Sequence, residues 1–248
     1  MEKGLAWVTG ASSGIGRGLA LALAQEGWRV AISARSTGAL AEVAALNPDR
    51  IFAFPLDVTD LASVGKVAAQ IAEELGEVDL AILNAGTYEP ISASDFDPTA
   101  FARTLQVNVM GTSNCLGVLL PAMMARKAGH IAVVASVAGY VGLPYASAYG
   151  ASKAALIHMC QSLRPELERA GIRLNLICPG FVDTPLTKQN DFPMPFLIST
   201  EEAVGAIMKG LEGAYFEIAF PWRMVLSMRA LSILPSRLRF AITRRMLR

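Results

Sequence analysis

The stretch "LAWVTGASSGIG", residues 5–16, decides the fold of this chain. An apolar run that suits a buried strand leads directly into a turn carrying Gly10, Gly14 and Gly16, and a helical segment follows at once. Glycine lets the backbone turn tightly and approach a ligand, and a helix N-terminus attracts anions such as a pyrophosphate. The GxxxGxG spacing differs from the GxGxxG dinucleotide fingerprint, and such a turn can also be a plain strand-to-helix connection. Its place after the first strand favours a nucleotide site.

The same alternation of short apolar runs and longer helical patterns continues along the chain. The pattern predicts strands at 5–10, 29–34, 50–56, 78–86, 130–136 and 172–180, and helices near 15–26, 37–46, 60–75, 99–127 and 148–169. Strands buried on both faces read as continuous apolar runs, and parallel strands need crossover helices between them. We therefore predict an α/β protein whose residues 1–248 form a single domain, a doubly wound parallel sheet (Rossmann fold). Ligands of such sheets collect beyond the carboxyl ends of the strands.

Composition narrows the class of protein further. The 248 residues are 53% apolar and 17% charged with a net charge of +1, which gives no overall basic excess for nucleic acid. The three cysteines have no CxxC spacing and the two histidines are isolated, so neither a disulfide framework nor a metal site is indicated. The N-terminus lacks the pattern of a secretion signal, and we expect a cytoplasmic protein.

One helical segment carries a pair of residues with distinctive chemistry. "SAYGASKAAL", residues 147–156, places Tyr149 four residues before Lys153, so both lie on one helix face. An ammonium about 4 Å from a phenol, at an effective dielectric constant of about 20, would lower the pKa of the phenol by about one to three units. Such a tyrosine can exchange protons near neutral pH. By itself the pair also fits a solvated helix face.

Four further motifs accompany the glycine turn and "YGASK" (149–153). They are "NAG" (84–86), "QVNVMG" (106–111), "VVASVAG" (133–139) and "PGFVDT" (179–184). In this order and at these spacings, over residues 4–184, the chain resembles the short-chain dehydrogenase/reductase family. Such enzymes transfer a hydride between a nicotinamide cofactor and a carbonyl or alcohol.

The resemblance implies a role for each of four catalytic residues. Tyr149 would exchange a proton with the substrate oxygen, and Lys153 would lower the pKa of Tyr149 and hold the nicotinamide ribose. Ser136 would orient the same substrate oxygen, and Asn108 would anchor a water in a proton relay through Lys153. Without the resemblance, Ser136 is a residue that caps a turn and Asn108 one that satisfies a local helix kink.

The remaining motif residues would contact the cofactor. Asp57 would accept a hydrogen bond from the adenine, residues 84–86 would pack beside the adenosine ribose, and the motif from Pro179 would border the nicotinamide. The full set of expected cofactor contacts is Gly10, Ser12, Ser13, Gly14, Ile15, Gly16, Arg35, Asp57, Val58, Asn84, Ala85, Gly86, Tyr149, Lys153, Pro179, Gly180, Val182 and Thr184.

The end of the second strand, "AISARS", indicates which nicotinamide cofactor is used. Members of the family that bind NAD usually place an acid there, whose charge would repel a 2′-phosphate. Here that position is Ala34, and Arg35 follows it. Because a guanidinium forms charge-assisted bonds to phosphate, we expect NADP(H) rather than NAD(H). Arg17 either adds positive potential or is a solvated helix residue.

Substrate class is indicated by segments outside the motifs. Residues 185–200 form the expected substrate lid, in which Phe192, Met194, Phe196 and Leu197 can line an apolar pocket. The C-terminal tail resembles that of family members acting on lipophilic compounds, which implies an apolar ketone or secondary alcohol as substrate. The chain ends without the "VDGG"-like stretch of many 3-ketoacyl reductases, which weakens that alternative. Two others remain: a nucleotide-binding regulatory protein without turnover, and an epimerase or lyase, for which the 64 residues after Thr184 leave little room.

Two parts of the sequence indicate contacts with other copies of the chain or with a membrane. The apolar faces of the helices near 99–127 and 148–169 are expected to pair in a homodimer or homotetramer, as is common in the family.

The tail, residues 222–248, contains seven arginines and no acidic residue. It reads as an apolar segment, Pro235, and a second helix with Ser236 as its N-cap. Such a tail either packs on the protein or makes a peripheral contact with a membrane.

Overall fold

The computed structural model describes residues 3–247, and its centre is a seven-stranded parallel sheet. The strands lie in the order β3-β2-β1-β4-β5-β6-β7, which confirms the predicted doubly wound fold in a single domain. Their bounds are β1 Leu5–Thr9, β2 Arg29–Ser33, β3 Ile51–Ala53, β4 Val78–Leu83, β5 Gly129–Val134, β6 Ile172–Pro179 and β7 Glu217–Phe220.

Helices cover both faces of the sheet. They are α1 Gly14–Gln25, α2 Thr37–Ala45, α3 Leu61–Leu75, α4 Pro98–Leu105, α5 Gly111–Arg126, α6 Ser147–Arg169, α7 Thr200–Glu212, α8 Trp222–Ile233 and α9 Ser236–Arg244. A π-helical turn, Gln106–Met110, joins α4 to α5, and a 3₁₀ turn, Val137–Gly139, follows β5. The strand ends that face the helix N-termini therefore form one edge, where the ligand site is expected.

The core lies in two layers because strand residues alternate between the faces of the sheet. In β1, Leu5 and Trp7 belong to the layer beneath α3, α5, α6 and α8, whereas Ala6 and Val8 belong to the layer beneath α1, α2 and α7. All four are fully buried. This burial on both faces is the physical reason for the unbroken apolar run in the sequence.

The C-terminal part of the fold differs from the sequence prediction in three places. Helix α7 and strand β7 were not predicted. Strand β7 has only four residues, which is too short for a clear pattern. The predicted N-cap at Ser236 is wrong. Pro235 occupies the N-cap position of α9, Ser236 is the first helical residue, and no side chain caps the helix.

The helical run from Pro98 to Arg126 is long and apolar enough to cross a membrane, judged by length and composition alone. In the fold its two α-helical parts contact α3, α6 and β4, and its inward face contributes to the core. Core helices of globular proteins satisfy the same criterion, so this run carries no argument for a membrane span.

The carboxyl ends of β1 and β4 are joined by a set of side-chain hydrogen bonds. Thr9 Oγ1 accepts from the backbone N–H groups of Asn84 (3.0 Å) and Ala85 (3.2 Å). Asn84 Nδ2 donates to the carbonyl oxygens of Thr9 and Gly10, both at 3.1 Å. Gly16 of α1 lies against this junction, where a Cβ would sit 2.3 Å from the Gly10 oxygen. Only glycine fits here without displacing the turn.

We expect Gly16→Ala to lower the free energy of unfolding by about 1–3 kcal/mol, because the added methyl group overlaps backbone that cannot move freely. A matched control is Gly65→Ala in α3, where no neighbouring atom lies within 4 Å of the new Cβ. That change should instead raise stability by up to about 1 kcal/mol through helix propensity. Urea unfolding of both variants checks the pair. Equal stabilities would contradict the close approach at Gly16.

Candidate active site

A cleft of about 600 Å³ opens at the carboxyl ends of the strands. Most of the predicted site residues line it: Gly10, Ser12, Ser13, Gly14, Ile15, Arg35, Asp57, Val58, Asn84, Ala85, Gly86, Ser136, Tyr149, Lys153, Pro179, Gly180, Val182 and Thr184. Two predicted residues, Gly16 and Asn108, lie behind its walls and do not line it. Residues separated by more than 170 positions in the sequence thus share one site.

The glycine turn shapes one end of the cleft. Gly10 and Gly14 adopt left-handed backbone angles, with φ of +67° and +51°. A Cβ on Gly10 would lie 2.8 Å from the Ala85 backbone, and one on Gly14 would lie 3.1 Å from Thr184. Ser13 is the N-cap of α1 but its side chain caps no N–H group, and the first turn carries no acid. The N-terminal dipole of α1 is therefore open to an anion.

Ser136, Tyr149 and Lys153 meet at the other end of the cleft. Tyr149 lies in the first turn of α6, and Lys153 follows one turn later with its Nζ 5.6 Å from the centre of the tyrosine ring. The Ser136 hydroxyl faces that of Tyr149 and acts to lower the pKa of the phenol. Ser136 Oγ also accepts from Ala138 N (3.1 Å) and donates to the Pro179 oxygen (3.2 Å). Ser136 thus caps the 3₁₀ turn and faces the tyrosine at once.

Burial controls the protonation of this group. Burial raises the pKa of Tyr149 to about 12, although the Ser136 hydroxyl opposes this rise. Burial also lowers the pKa of Lys153 to about 8. We expected Lys153 to lower the pKa of Tyr149. In this structure Lys153 Nζ donates to the carbonyl oxygen of Val134 at 2.9 Å, and the loss of water around the phenol dominates. The phenol is consequently held protonated.

Asn108 holds the loop after β4 in place. It lies in the π-helical turn, a feature often found at functional sites. Its Oδ1 accepts from Thr87 N (2.7 Å), and its Nδ2 donates to the Thr87 oxygen (3.0 Å) and to Ser152 Oγ (2.9 Å). Both amide hydrogens are thus used within the protein. The side chain thus fixes Thr87 against α6 and does not satisfy a kink in its own helix, as the structural alternative supposed. Its part in a proton relay stays a prediction.

A polar cluster that runs from the buried Cys178 through the half-buried Tyr140 and Glu217 to the exposed Arg229 has no signal in the sequence. The Tyr140 hydroxyl donates to the carboxylate of Glu217 in β7, which also pairs with Arg229 of α8. The Arg229 guanidinium lies 5.7 Å from the centre of the Tyr140 ring. Cys178 in β6 hydrogen-bonds to Tyr140, interacts electrostatically with Lys153, and has a pKa raised to about 12 by burial. These residues meet only through the order of the strands, so spacing could not have revealed them.

Only the first residues of the segment 185–200 reach the cleft. Leu186, Thr187 and Gln189 line the cleft, and Gln189 Nε2 donates to the Tyr88 oxygen at 3.3 Å across the entrance. The ring of Tyr88 in turn makes an edge contact with Tyr149, with centroids 5.2 Å apart. Tyr88 was not predicted as a site residue.

The four apolar residues expected to line the pocket from this segment do not reach the cleft. Phe192 packs on Phe181 with ring centroids 5.8 Å apart, and Arg223 lies over Phe196. Phe196 and Leu197 are 37% and 43% exposed. Phe192 and Met194 are half-buried away from the cleft.

Comparisons with known proteins agree with this geometry. Residues 5–193 match the model of the short chain dehydrogenase family. An uncharacterised oxidoreductase of Myxococcus xanthus is 39% identical over 99% of this chain and 98% of its own length.

Two solved structures share the fold along nearly the whole chain. A short-chain dehydrogenase from Burkholderia cenocepacia in complex with NADP has a TM-score of 0.84 at 30% identity and covers 100% of this chain and 98% of its own. One from Burkholderia phymatum in complex with NAD has a TM-score of 0.85 at 25% identity, with 92% of each chain covered.

A parallel sheet with a glycine turn at β1 and a Ser-Tyr-Lys group at its carboxyl edge defines a nicotinamide-dependent oxidoreductase. The chain belongs to the short-chain dehydrogenase family. The glycine cradle and the open N-terminus of α1 fit the pyrophosphate of such a cofactor.

The buried ammonium of Lys153 affects the free energy of unfolding in a way that depends on pH. Because the pKa of Lys153 is about 8 in the folded protein against 10.5 for a free lysine, holding its charge costs stability below pH 8. That cost disappears as the pH rises toward 10.5, the free-lysine value. We expect Lys153→Met to raise the free energy of unfolding by about 1–3 kcal/mol at pH 7, and by less above pH 9.

Urea unfolding across this pH range checks the expectation, with the exposed Lys66→Met as the matched control, which should change little at any pH. A Lys153→Met variant less stable than the wild type at pH 7 would show that the buried charge carries no such cost.

Proposed function

We propose that this enzyme transfers a hydride between NADP(H) and an apolar ketone or secondary alcohol, with Tyr149 as the proton donor and acceptor. The apolar class of substrate rests on the C-terminal tail, which resembles that of family members acting on lipophilic compounds, because the four apolar lid residues do not reach the cleft. The observation that carries the proposal is the meeting of Ser136, Tyr149 and Lys153 in the same cleft as the glycine turn. A screen of ketones and alcohols with each cofactor, followed by nicotinamide absorbance, tests it. Tight NADPH binding without turnover of any compound would instead favour a regulatory nucleotide-binding protein.

Each polar residue has a distinct task in this mechanism. The bound cofactor would supply or accept the hydride. Ser136 would orient the substrate oxygen, and Tyr149 would donate its proton to that oxygen during reduction. The raised pKa of Tyr149 keeps this proton in place before the reaction, and the lowered pKa of Lys153 lets the ammonium exchange a proton near neutral pH.

We expect Tyr149→Phe to lower kcat by about 10²–10⁴-fold, the range for loss of a positioned acid or base. The affinity for NADPH, followed by fluorescence, should stay close to normal because the ring remains. Tyr215→Phe is the matched control, since Tyr215 is 77% exposed and outside the cleft. Turnover near the wild-type rate in Tyr149→Phe would rule out Tyr149 as the proton donor.

The preference for NADP rests on the residues that follow β2. Ala34 takes the place where an acid would repel a 2′-phosphate, and Arg35 and Ser36 line the cleft beside Ser12 and Ser13. Arg35 is exposed and can reach a phosphate. Because the solved relatives include one NADP complex and one NAD complex, the proposal depends on this chain's own residues.

We expect Arg35→Ala to raise the KM for NADPH by about 10–100-fold and to change the KM for NADH little, since a hydrogen bond to a charged group contributes about 1.5–3 kcal/mol. Arg17→Ala is the control, because Arg17 lies on the exposed side of α1 and does not line the cleft. Steady-state kinetics with both cofactors provide the measurement. Equal increases for the two cofactors would remove the basis for NADP preference.

We also propose that two or four copies pair through α5 and α6. Met110 and Met124, 45% and 44% exposed, and the exposed Gly117 leave an apolar outer surface along this part of the chain. Apolar side chains of this size gain stability when a second copy covers them.

A further inference from the structure

Helix α8 has two apolar faces, only one of which is covered. Met224, Met228 and Leu231 are between 5% and 7% exposed and pack in the core. On the opposite side lie Trp222, Leu226 and Ile233, which are 72%, 61% and 83% exposed. At 3.6 residues per turn these three fall within an arc of about 40°. We call them the outer stripe of α8.

Exposed apolar side chains also occur beyond Pro235, in α9 and the residues after it. Among residues 236–247 only Thr243 is buried. The remaining surface carries large apolar side chains that are between 39% and 59% exposed, namely Leu238, Phe240, Ile242, Met246 and Leu247. A monomer surface rarely exposes so many neighbouring apolar groups unless they bind a partner.

The charge of this region is of one sign. Residues 222–248 contain seven arginines and no acid. Arg229 is neutralised by Glu217, and Arg223 and Arg239 lie over aromatic rings. Arg237, Arg244 and Arg245 are exposed, and none of them forms an ion pair with any acidic residue within 3–247.

We propose that the outer stripe of α8 and the basic residues of α9 dock this protein on the surface of an anionic lipid bilayer. Tryptophan prefers the interface between lipid and water, and basic side chains are attracted by anionic headgroups. Neither helix can cross a bilayer, because α8 has 12 residues and α9 has nine, where about 20 are needed. They lie on the surface instead.

A second copy of the chain fits this surface less well than lipid does. A symmetric contact through the same patch would bring Arg237, Arg244 and Arg245 of both copies together without an acid between them. Like charges placed against each other disfavour association. An anionic bilayer offers the opposite charge and an apolar layer at the same time.

The test is sedimentation of the full-length protein with vesicles. Wild type should bind vesicles of phosphatidylcholine and phosphatidylglycerol, ignore vesicles of phosphatidylcholine alone, and dissociate as salt is raised. Combined Arg237→Gln, Arg244→Gln and Arg245→Gln should weaken binding by about 100-fold, because each basic residue contributes about fivefold. Combined Trp222→Ser, Leu226→Ser and Ile233→Ser should reduce binding at least tenfold even at low salt.

A matched control replaces two equally exposed apolar residues elsewhere, Leu46→Ser and Leu61→Ser, and should leave vesicle binding unchanged. Circular dichroism and NADPH binding confirm that each variant is folded, and the arginine variants keep the test valid if the stripe variants are not. A wild-type protein that ignores anionic vesicles overturns the proposal. So does an oligomer that the stripe variants split into smaller species without lipid, since the surface would then be a subunit interface.

Discussion

The hydrogen bonds between Thr9 and Asn84 are the constraint on which the rest of the structure depends. They fix the ends of β1 and β4 to each other, and the Asn84 amide also holds the Gly10 carbonyl. The glycine turn, the start of α1 and the loop that follows β4 therefore keep one relative position. Polar atoms at a strand end would otherwise need water. Here they are satisfied by each other, which holds this wall of the cleft in one position.

Desolvation of Tyr149 and Lys153 is the second physical effect that shapes the site. Tyr149 and Lys153 are drawn into the protein by the packing of α6 on the sheet, and burial moves their pKa values toward the neutral forms. The same burial that makes an exchangeable proton available reduces the stability of the folded chain. Sites that trade stability for chemistry in this way are common among enzymes. The buried Cys178, with the half-buried Tyr140 and Glu217, lies behind them.

Sequence reasoning predicted the sheet because β1 and β4 to β6 are buried on both faces and appear as apolar runs. It found most of the cleft because glycine turns and strand ends leave local motifs. It missed β7, which is short, and Tyr140 and Glu217, whose contact depends on strand order. It also misjudged the electrostatics at Tyr149, since four-residue spacing does not say that Lys153 bonds to Val134. Phe196 and Leu197 are exposed, which the apolar composition of their segment does not reveal.

The positions of the cysteines have a practical consequence. Cys115, Cys160 and Cys178 are all buried, and desolvation raises the pKa of each thiol to about 12. Alkylating reagents and mild oxidants attack the exposed thiolate, so the native chain should resist both. A cysteine introduced at an exposed position would then be the single reactive thiol under native conditions. Fluorescent or spin labels can thus be attached to chosen surfaces of this protein without first removing its natural cysteines.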